Sequence, residues 1–405
     1  MKFSSIVKYA QNPIQEEDPT AEAIANSGKK VLKLNRGDTA AYFPTPEYII
    51  DSYVNALRSG KTGYSSPIGI KELREAVSKR YKRMYNVDVN PSDVIVTQGV
   101  SEALLFVNLL FLNKGDKAVI FRPYYPLYHI YSMMFGGNNI YENYVEEDGW
   151  EIDTDKLEGS VKKEHKAMRR ARYLLITNPS NPTGTVLNRK TLEEIVDIAN
   201  NYNLMLISDE IYDEIVYNGA SFTSISEIAQ GVPHIILNGA SKNFDATGFR
   251  IGFMIFSGRD KYSKLARDKC VELARVRLSS NTPAQYAAAE AMSNIKEHSK
   301  AIKFMNLRIE EQSNAAVKIL NKSGYMKAVE PRGAFYIFPR IDFSALDIRN
   351  DKEFVHKLLL EENVHTTRGS GFGSNGHIRI VTLPDKKSII DASEKIVDFC
   401  ERHSK

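Results

Sequence analysis

Apolar runs of four or five residues recur through the middle of the chain, each bounded by polar or turn-forming residues. Val94–Thr97, Lys117–Phe121, Tyr173–Thr177, Leu204–Ser208 and His234–Asn238 read as buried strands. Helical periodicity separates them, from Glu102 onward and over Thr191–Asn201, and the most apolar run, Ala103–Leu112, reads as a core helix. Strands that are apolar at nearly every position and alternate with helices predict an α/β fold whose mostly parallel sheet is covered on both faces. From about Asn281 the pattern changes. A long helical run covers Ala284–Leu320, Gly333–Pro339 reads as a strand, and Glu353–Leu360 reads as a helix. This second pattern predicts a smaller α/β unit, and 405 residues are in any case too many for one simple core. No internal repeat or low-complexity tract interrupts the chain.

Sheets of this kind bind ligands outside the carboxyl ends of their strands. Three polar residues lie at or just past such ends: Asn181, Asp209 and Lys242. Asn181 belongs to Asn178-Pro179-Ser180-Asn181-Pro182-Thr183-Gly184, and Pro182 restricts it to an extended backbone. Its amide then offers a donor and an acceptor to a ligand. Asp209 closes an apolar strand, where an unpaired carboxylate is costly, so it needs a cationic or hydrogen-bonding partner. Tyr212 follows three residues on. Lys242, beside Ser241 in a small-residue loop, is a candidate Schiff-base nucleophile, and Arg250 eight residues later is a candidate phosphate clamp. The same segment reads equally well as a surface lysine and a structural arginine.

Composition narrows the classes. With 42% hydrophobic and 26% charged residues the chain is of ordinary globular type. Its 54 basic and 50 acidic residues leave a net charge of +4, too near balance to argue for nucleic acid or an anionic membrane. Two cysteines, Cys270 and Cys400, allow no disulfide framework and no metal-type spacing, which points to a reducing cytoplasm. The opening Met1–Lys8 lacks the pattern of a signal peptide, and Ala103–Leu112 is too short to span a bilayer.

Asn178–Gly184, Ser208–Tyr212 and Ser241–Gly252 together resemble the class I/II aminotransferases of fold type I, which use pyridoxal phosphate. Leu34–Asp38, Tyr64–Arg74, Gly369–Gly373 and Arg379 extend the likeness over nearly the whole chain. The resemblance implies a large domain, residues 46–289, with a mostly parallel seven-stranded sheet, and a small domain of residues 1–45 and 290–405. It implies that Lys242 bonds the cofactor covalently and later shuttles the proton, and that Asp209 holds the pyridine nitrogen protonated. Tyr212 and Asn181 would reach the ring's phenolic oxygen, and Tyr125 would stack on the ring. Gly99, Val100 and Ser101 would cradle the phosphate at the start of the helix near Glu102, helped by Ser241 and Arg250. Tyr64 would reach the phosphate from the neighbouring subunit, which implies a homodimer. Arg379 would clamp the substrate α-carboxylate, with Asn181 and Gly37 among the substrate contacts, and no metal is implied. The chain departs from the pattern at Gly239, where many members carry a serine that donates to the phosphate, and at Asp245, where small or apolar residues are commoner.

Bland readings stand beside these. Tyr125 in its aromatic run also reads as core, and Arg379 between two isoleucines as a structural ion pair. The basic run Lys162–Arg172 reads as a solvated face. Gly60-Lys61-Thr62 imitates a P-loop tail but Asn55 stands where its first glycine belongs, and His129 and His365 have no ligand-spaced partner. An arginine that binds a side-chain carboxylate in aspartate-specific members falls on Val276 here, flanked by Arg275 and Arg277. Other stretches, among them Leu273–Leu278 and Asn281–Gln285, resemble archaeal-type alanine aminotransferases. Alanine with 2-oxoglutarate is therefore the first expectation and an aspartate or aromatic aminotransferase the second. A lyase using the same cofactor, a non-enzymatic regulator and a degenerate scaffold are the remaining alternatives.

Overall fold

A computed structural model describes residues 3–167, 171–258 and 261–405. Eight strands form the central sheet: β1 Val94–Thr97, β2 Lys117–Arg122, β3 Ile140–Val145, β4 Glu151–Ile152, β5 Ala171–Thr177, β6 Met205–Asp209, β7 His234–Gly239 and β8 Gly252–Ser257. Their order is β1-β8-β7-β6-β5-β2-β3-β4. The pairs from β7 through β6, β5 and β2 to β3 are parallel. β8 runs antiparallel between β1 and β7, and the two-residue β4 pairs antiparallel with β3 at the far edge.

Each central strand is apolar throughout because each face of the sheet has its own core. On β5, Leu174 and Ile176 join one apolar cluster while Tyr173 and Leu175 join the cluster on the opposite face. Leu206 and Ile236 fall with the first, Met205, Ile207, Ile235 and Leu237 with the second. This is the pleat's period of two read across neighbouring strands.

A separate cluster gathers Leu32 and Leu34 with residues between Ala316 and Cys400. There β9 (Tyr336–Ile337), β10 (Thr367–Arg368) and β11 (Ile378–Val381) form a small antiparallel sheet with β11 in the middle. Leu32–Lys33 pairs in parallel with Val364–His365, tying the N-terminal part of the chain to its C-terminal part.

The central sheet has eight strands where seven are expected, the two-residue edge strand Glu151–Ile152 among them, and three further elements differ from the expectations. The helix near Glu102 begins earlier, as α1 over Gly99–Phe111, so Gly99, Val100 and Ser101 form its first turn. The run Ala284–Leu320 is two helices, α2 Thr282–Ser293 and α3 Ile295–Lys322, broken at Asn294. Asn294 closes one and caps the other, accepting from the Glu297 N–H. Of Gly333–Pro339 only Tyr336–Ile337 is strand, because Ala334 sits at φ 52°. Of the basic run, Met168–Arg170 lie outside the described residues, as does the start of Met1–Lys8 (Met1 and Lys2); Lys162 and Lys163 are exposed. Among the described residues no helix is long and apolar enough to cross a membrane.

Candidate active site

A cavity of about 390 Å³ opens at the carboxyl ends of the parallel strands, a size suited to a small ligand. Thr177, the last residue of β5, is in register with Asp209, the last of β6. The segments leaving β5, β6 and β7 therefore start level, and they bring Asn181, Asp209 and Lys242 to the same cavity wall. Gly37, Val100, Ser101, Tyr125, Tyr212, Ser241, Arg250 and Arg379 line it too, so residues separated by the whole chain length meet here.

Asp209 is almost completely buried. One carboxylate oxygen accepts from the Tyr128 hydroxyl at 2.7 Å and the other from the Ile211 N–H at 3.2 Å. Burial outweighs these bonds and pushes its carboxyl up to about 6. A cationic N–H brought against it would hold it ionised. The Thr177 hydroxyl donates in turn to Tyr128 Oη at 2.7 Å, which orients that phenol toward the acid.

Lys242 projects its amine to the Gly37 carbonyl at 2.6 Å. Desolvation brings its pKa down to about 8, and Arg250 and Arg379 push the same way while Asp38 and Asp209 oppose. A lysine so tuned is neutral in about one molecule in ten at pH 7, far more than an ordinary lysine, and a nucleophile or base needs that neutral form. Its loop is braced from behind: the Asn243 amide donates to Asp213 Oδ1 at 2.5 Å, and Asp213 Oδ2 accepts from Arg80, Asn238 and Tyr85.

Arg379 is 1% exposed. Its Nη1 donates to Asn181 Oδ1 at 3.0 Å and its Nη2 to the Asn35 carbonyl, while its Nε is buried without a partner. A buried guanidinium with an idle donor and no carboxylate beside it suits an incoming anion. Tyr212 Oη lies 2.9 Å from Tyr336 Oη, also on the cavity wall.

The end of the cavity nearest α1 is built of close-packed backbone. Gly252 pairs with Thr97 on one side and Gly239 on the other. A Cβ on Gly252 would stand 2.5 Å from the Gly99 carbonyl carbon and 2.7 Å from the Val100 nitrogen. One on Gly99 (φ 74°) would collide with Arg250 Nη2. The first N–H groups of α1, the Arg250 guanidinium and the Ser241 hydroxyl thus surround a small cationic cradle. Gly239 has a steric reason: a Cβ there would sit 2.6 Å from the Ile251 carbonyl oxygen, so a serine would require the neighbouring backbone to shift.

Two of the expected site residues do not line this cavity: Tyr64, which is 86% exposed, and Gly99, which packs against the Arg250 guanidinium. The sequence reading missed Tyr128, Tyr336, Arg36 and the segment with Asn12, Ile14 and Gln15, all of which line the cavity. Tyr128 had one available signal, its place three residues after Tyr125 at the start of a helix. Val276 is exposed, and Arg277 is spent on Glu102 at 3.1 Å and on the Pro67 and Val96 carbonyls, so neither faces the cavity.

The family model described as "Aminotransferase class I and II" matches residues 29–395. Glutamate-pyruvate aminotransferase AlaA of Escherichia coli K12 is 33% identical over 401 residues, covering 98% of this chain and 96% of that one. Aspartate aminotransferase of Thermotoga maritima is 33% identical over 386 residues, 95% of either chain. The solved structure of an alanine aminotransferase from Pyrococcus furiosus superposes with a TM-score of 0.93 at 34% identity, over 99% of this chain and 100% of that one.

Proposed function

The chain belongs to the class I and II aminotransferases, and from that premise we propose that it moves the amino group of L-alanine to 2-oxoglutarate, giving pyruvate and glutamate. It is a pyridoxal-phosphate enzyme of the fold-type-I class. Bound in the cavity, the cofactor supplies the electron sink that lets an amino acid lose its Cα proton. The residues present suit it. Asp209 is a buried acid in want of a cationic N–H, the α1 cradle is in want of an anion, and Lys242 is the lowered amine between them.

Each side chain then has a role. Arg379, held by Asn181 and the Asn35 carbonyl, fixes the substrate carboxylate with its remaining donors. That leaves the substrate Cα beside Lys242, whose amine takes the proton and returns it. Asp209 would pair with the ring nitrogen, Tyr212 and Asn181 would reach the ring's oxygen, and Tyr125 would cover the ring. Arg250, Ser241 and the Gly99-Val100-Ser101 turn would hold the phosphate. Gly37 anchors the Lys242 amine through its carbonyl and borders the substrate. The observation that carries this reading is the meeting of Lys242, Asp209 and Arg379 in one cavity.

The preference for alanine is supported by near-full-length likeness to proteins named for that reaction. The Thermotoga relative, named for aspartate, keeps aspartate as the second reading. We read the protein as a homodimer in which Tyr64 of a second copy completes the phosphate site, with a large domain of residues 46–289 and a small one from the remainder. Two buried free thiols support a cytoplasmic setting.

A donor panel with 2-oxoglutarate as acceptor tests the reading. Alanine should exceed aspartate at least tenfold in specificity constant, about 1.4 kcal/mol of discrimination. Equal or inverted preference would move the assignment to aspartate, and ammonia in place of pyruvate and glutamate would move it to a lyase.

A further inference from the structure

Asp245 departs from the family pattern, and the site described so far does not use it. It lies three residues after Lys242 and is only 4% exposed. Its N–H donates to the Lys242 carbonyl at 3.4 Å, closing Lys242–Asp245 as a four-residue turn. The two ends of such a turn stand within about 7 Å of each other. Asp245 takes φ 51°, a left-handed backbone that aspartate and asparagine tolerate better than most residues. The turn itself would therefore be served as well by an asparagine, which carries no charge to bury.

The surroundings of the carboxyl make that charge costly. Its Oδ1 is buried without a hydrogen-bond partner among the described residues. The Thr39 hydroxyl, which donates to the Ser241 carbonyl at 3.2 Å, stands beside it. The Thr45 hydroxyl is spent on Asp245's own carbonyl. From helix Glu47–Arg58 the Tyr48 phenol feels its charge, and that hydroxyl is also buried without a partner among the described residues. The one cation acting on Asp245 is Lys242. Burial pushes the carboxyl up to about 7, while Thr39 and Lys242 draw it down. On the lysine's side, Asp38 and Asp209 favour its charged form and Arg250 and Arg379 oppose it. None of those four lies on the lysine's own turn, as Asp245 does.

We infer that Asp245 is a positioning residue for Lys242: its carboxylate, lodged behind the turn, is the counter-charge of the Lys242 nitrogen and strengthens that nitrogen's hold on the proton it takes from the substrate Cα and returns. The inference rests on the aminotransferase reading of the cavity. Asp245 does not line that cavity, so it touches neither substrate nor cofactor, and the proton passes only between Cα and Nζ. Its place has a reason. The two arginines that grip anions in the cavity both disfavour a cationic nitrogen between them. An anion added inside the cavity would compete with the substrate carboxylate for Arg379, whereas one behind the turn restores basicity without that competition.

The test uses the holoenzyme. Near-visible absorbance of the wild type that is lost in K242A establishes the cofactor reading by itself. D245N keeps the shape and the left-handed backbone and removes only the charge. The pH at which the absorbance of the lysine-bound cofactor titrates should fall in D245N by about half a unit or more, a threefold loss of proton affinity. Turnover of alanine should slow while its KM stays within about twofold, since Arg379 is untouched. A second readout needs no cofactor. Cyanate carbamylates only neutral amines, so the pH dependence of Lys242 carbamylation in the cofactor-free chain, read on its peptide by mass spectrometry, should shift the same way. A titration that stays in place or moves to higher pH in D245N would overturn the inference while leaving the aminotransferase standing. So would slower turnover with an unmoved titration, which would make Asp245 a brace of the turn and nothing more. Should D245N fold poorly, D245G, unstrained at that φ, decides by the same titrations.

Discussion

Asp209 shows most plainly what burying a site carboxylate costs. In the cofactor-free protein its carboxyl titrates near 6 against a reference of 3.8, so the folded state holds the proton more tightly than the unfolded chain does. Stability therefore falls as pH rises through about 4 to 6, by up to about 3 kcal/mol for this group. Lys242, titrating near 8, keeps its proton through that window and does not confuse the measurement. Asp209→Asn in cofactor-free protein should gain stability relative to wild type between pH 4 and pH 7.5, measured by urea unfolding, while losing affinity for pyridoxal phosphate. A pH-independent difference would contradict the raised carboxyl. At this scale the sequence was legible wherever a polar residue stood next to an apolar strand end, as Asn181, Asp209 and Lys242 do. Tyr128 and Tyr336 were not, because a phenol in an aromatic or apolar run looks like core until its hydroxyl is seen on Asp209 or Tyr212. Arg36 escaped notice because nothing near it in sequence says that its neighbours touch Lys242 and Arg379.

Among elements, the central strands were readable because burial on both faces leaves a continuous apolar run. The start of α1 was not: its first turn, Gly99-Val100-Ser101-Glu102, carries little periodicity, and its identity lies in close contact with Gly252 and Arg250. The break at Asn294 was hidden by two amphipathic patterns running on without a gap. How elements are fastened together is equally invisible in sequence. Arg80, on the helix Lys71–Tyr85, reaches Asp213 at 2.8 Å and Glu214 at 2.7 Å on the segment after β6. Asp213 in turn holds Asn243, the residue after Lys242. Arg80→Met should leave the buried Asp213 carboxylate without its cation and Glu214 with His298 alone, and cost about 3–5 kcal/mol of unfolding free energy. A loss below 1 kcal/mol would show that the network is not what joins these elements.

For the whole molecule, the shift of pattern near Asn281 does not mark where one core gives way to the next, since Ala284–Met292 still pack in the main cluster, and the return of Leu32 and Leu34 to the C-terminal core is a long-range pairing that no local signal announces. Association belongs at this scale as well. Tyr64 is 86% exposed on the single chain, and Val276 and Leu278 are exposed at the end of their helix. Light scattering should give twice the chain mass, and cofactor should dissociate on dilution to the range where that mass halves. A monomer that retained cofactor undiminished would remove Tyr64 from the site.

The tripeptide Asn35-Arg36-Gly37 carries one more implication. Because its first and last carbonyls hold the anion-gripping arginine and the proton-carrying amine, any displacement of this short span moves both at once. Substitutions within it will not behave as independent losses: thermodynamic cycles pairing them with changes at position 379 or 242 should depart from simple summation, and natural variation in this stretch would retune grip and reactivity in concert.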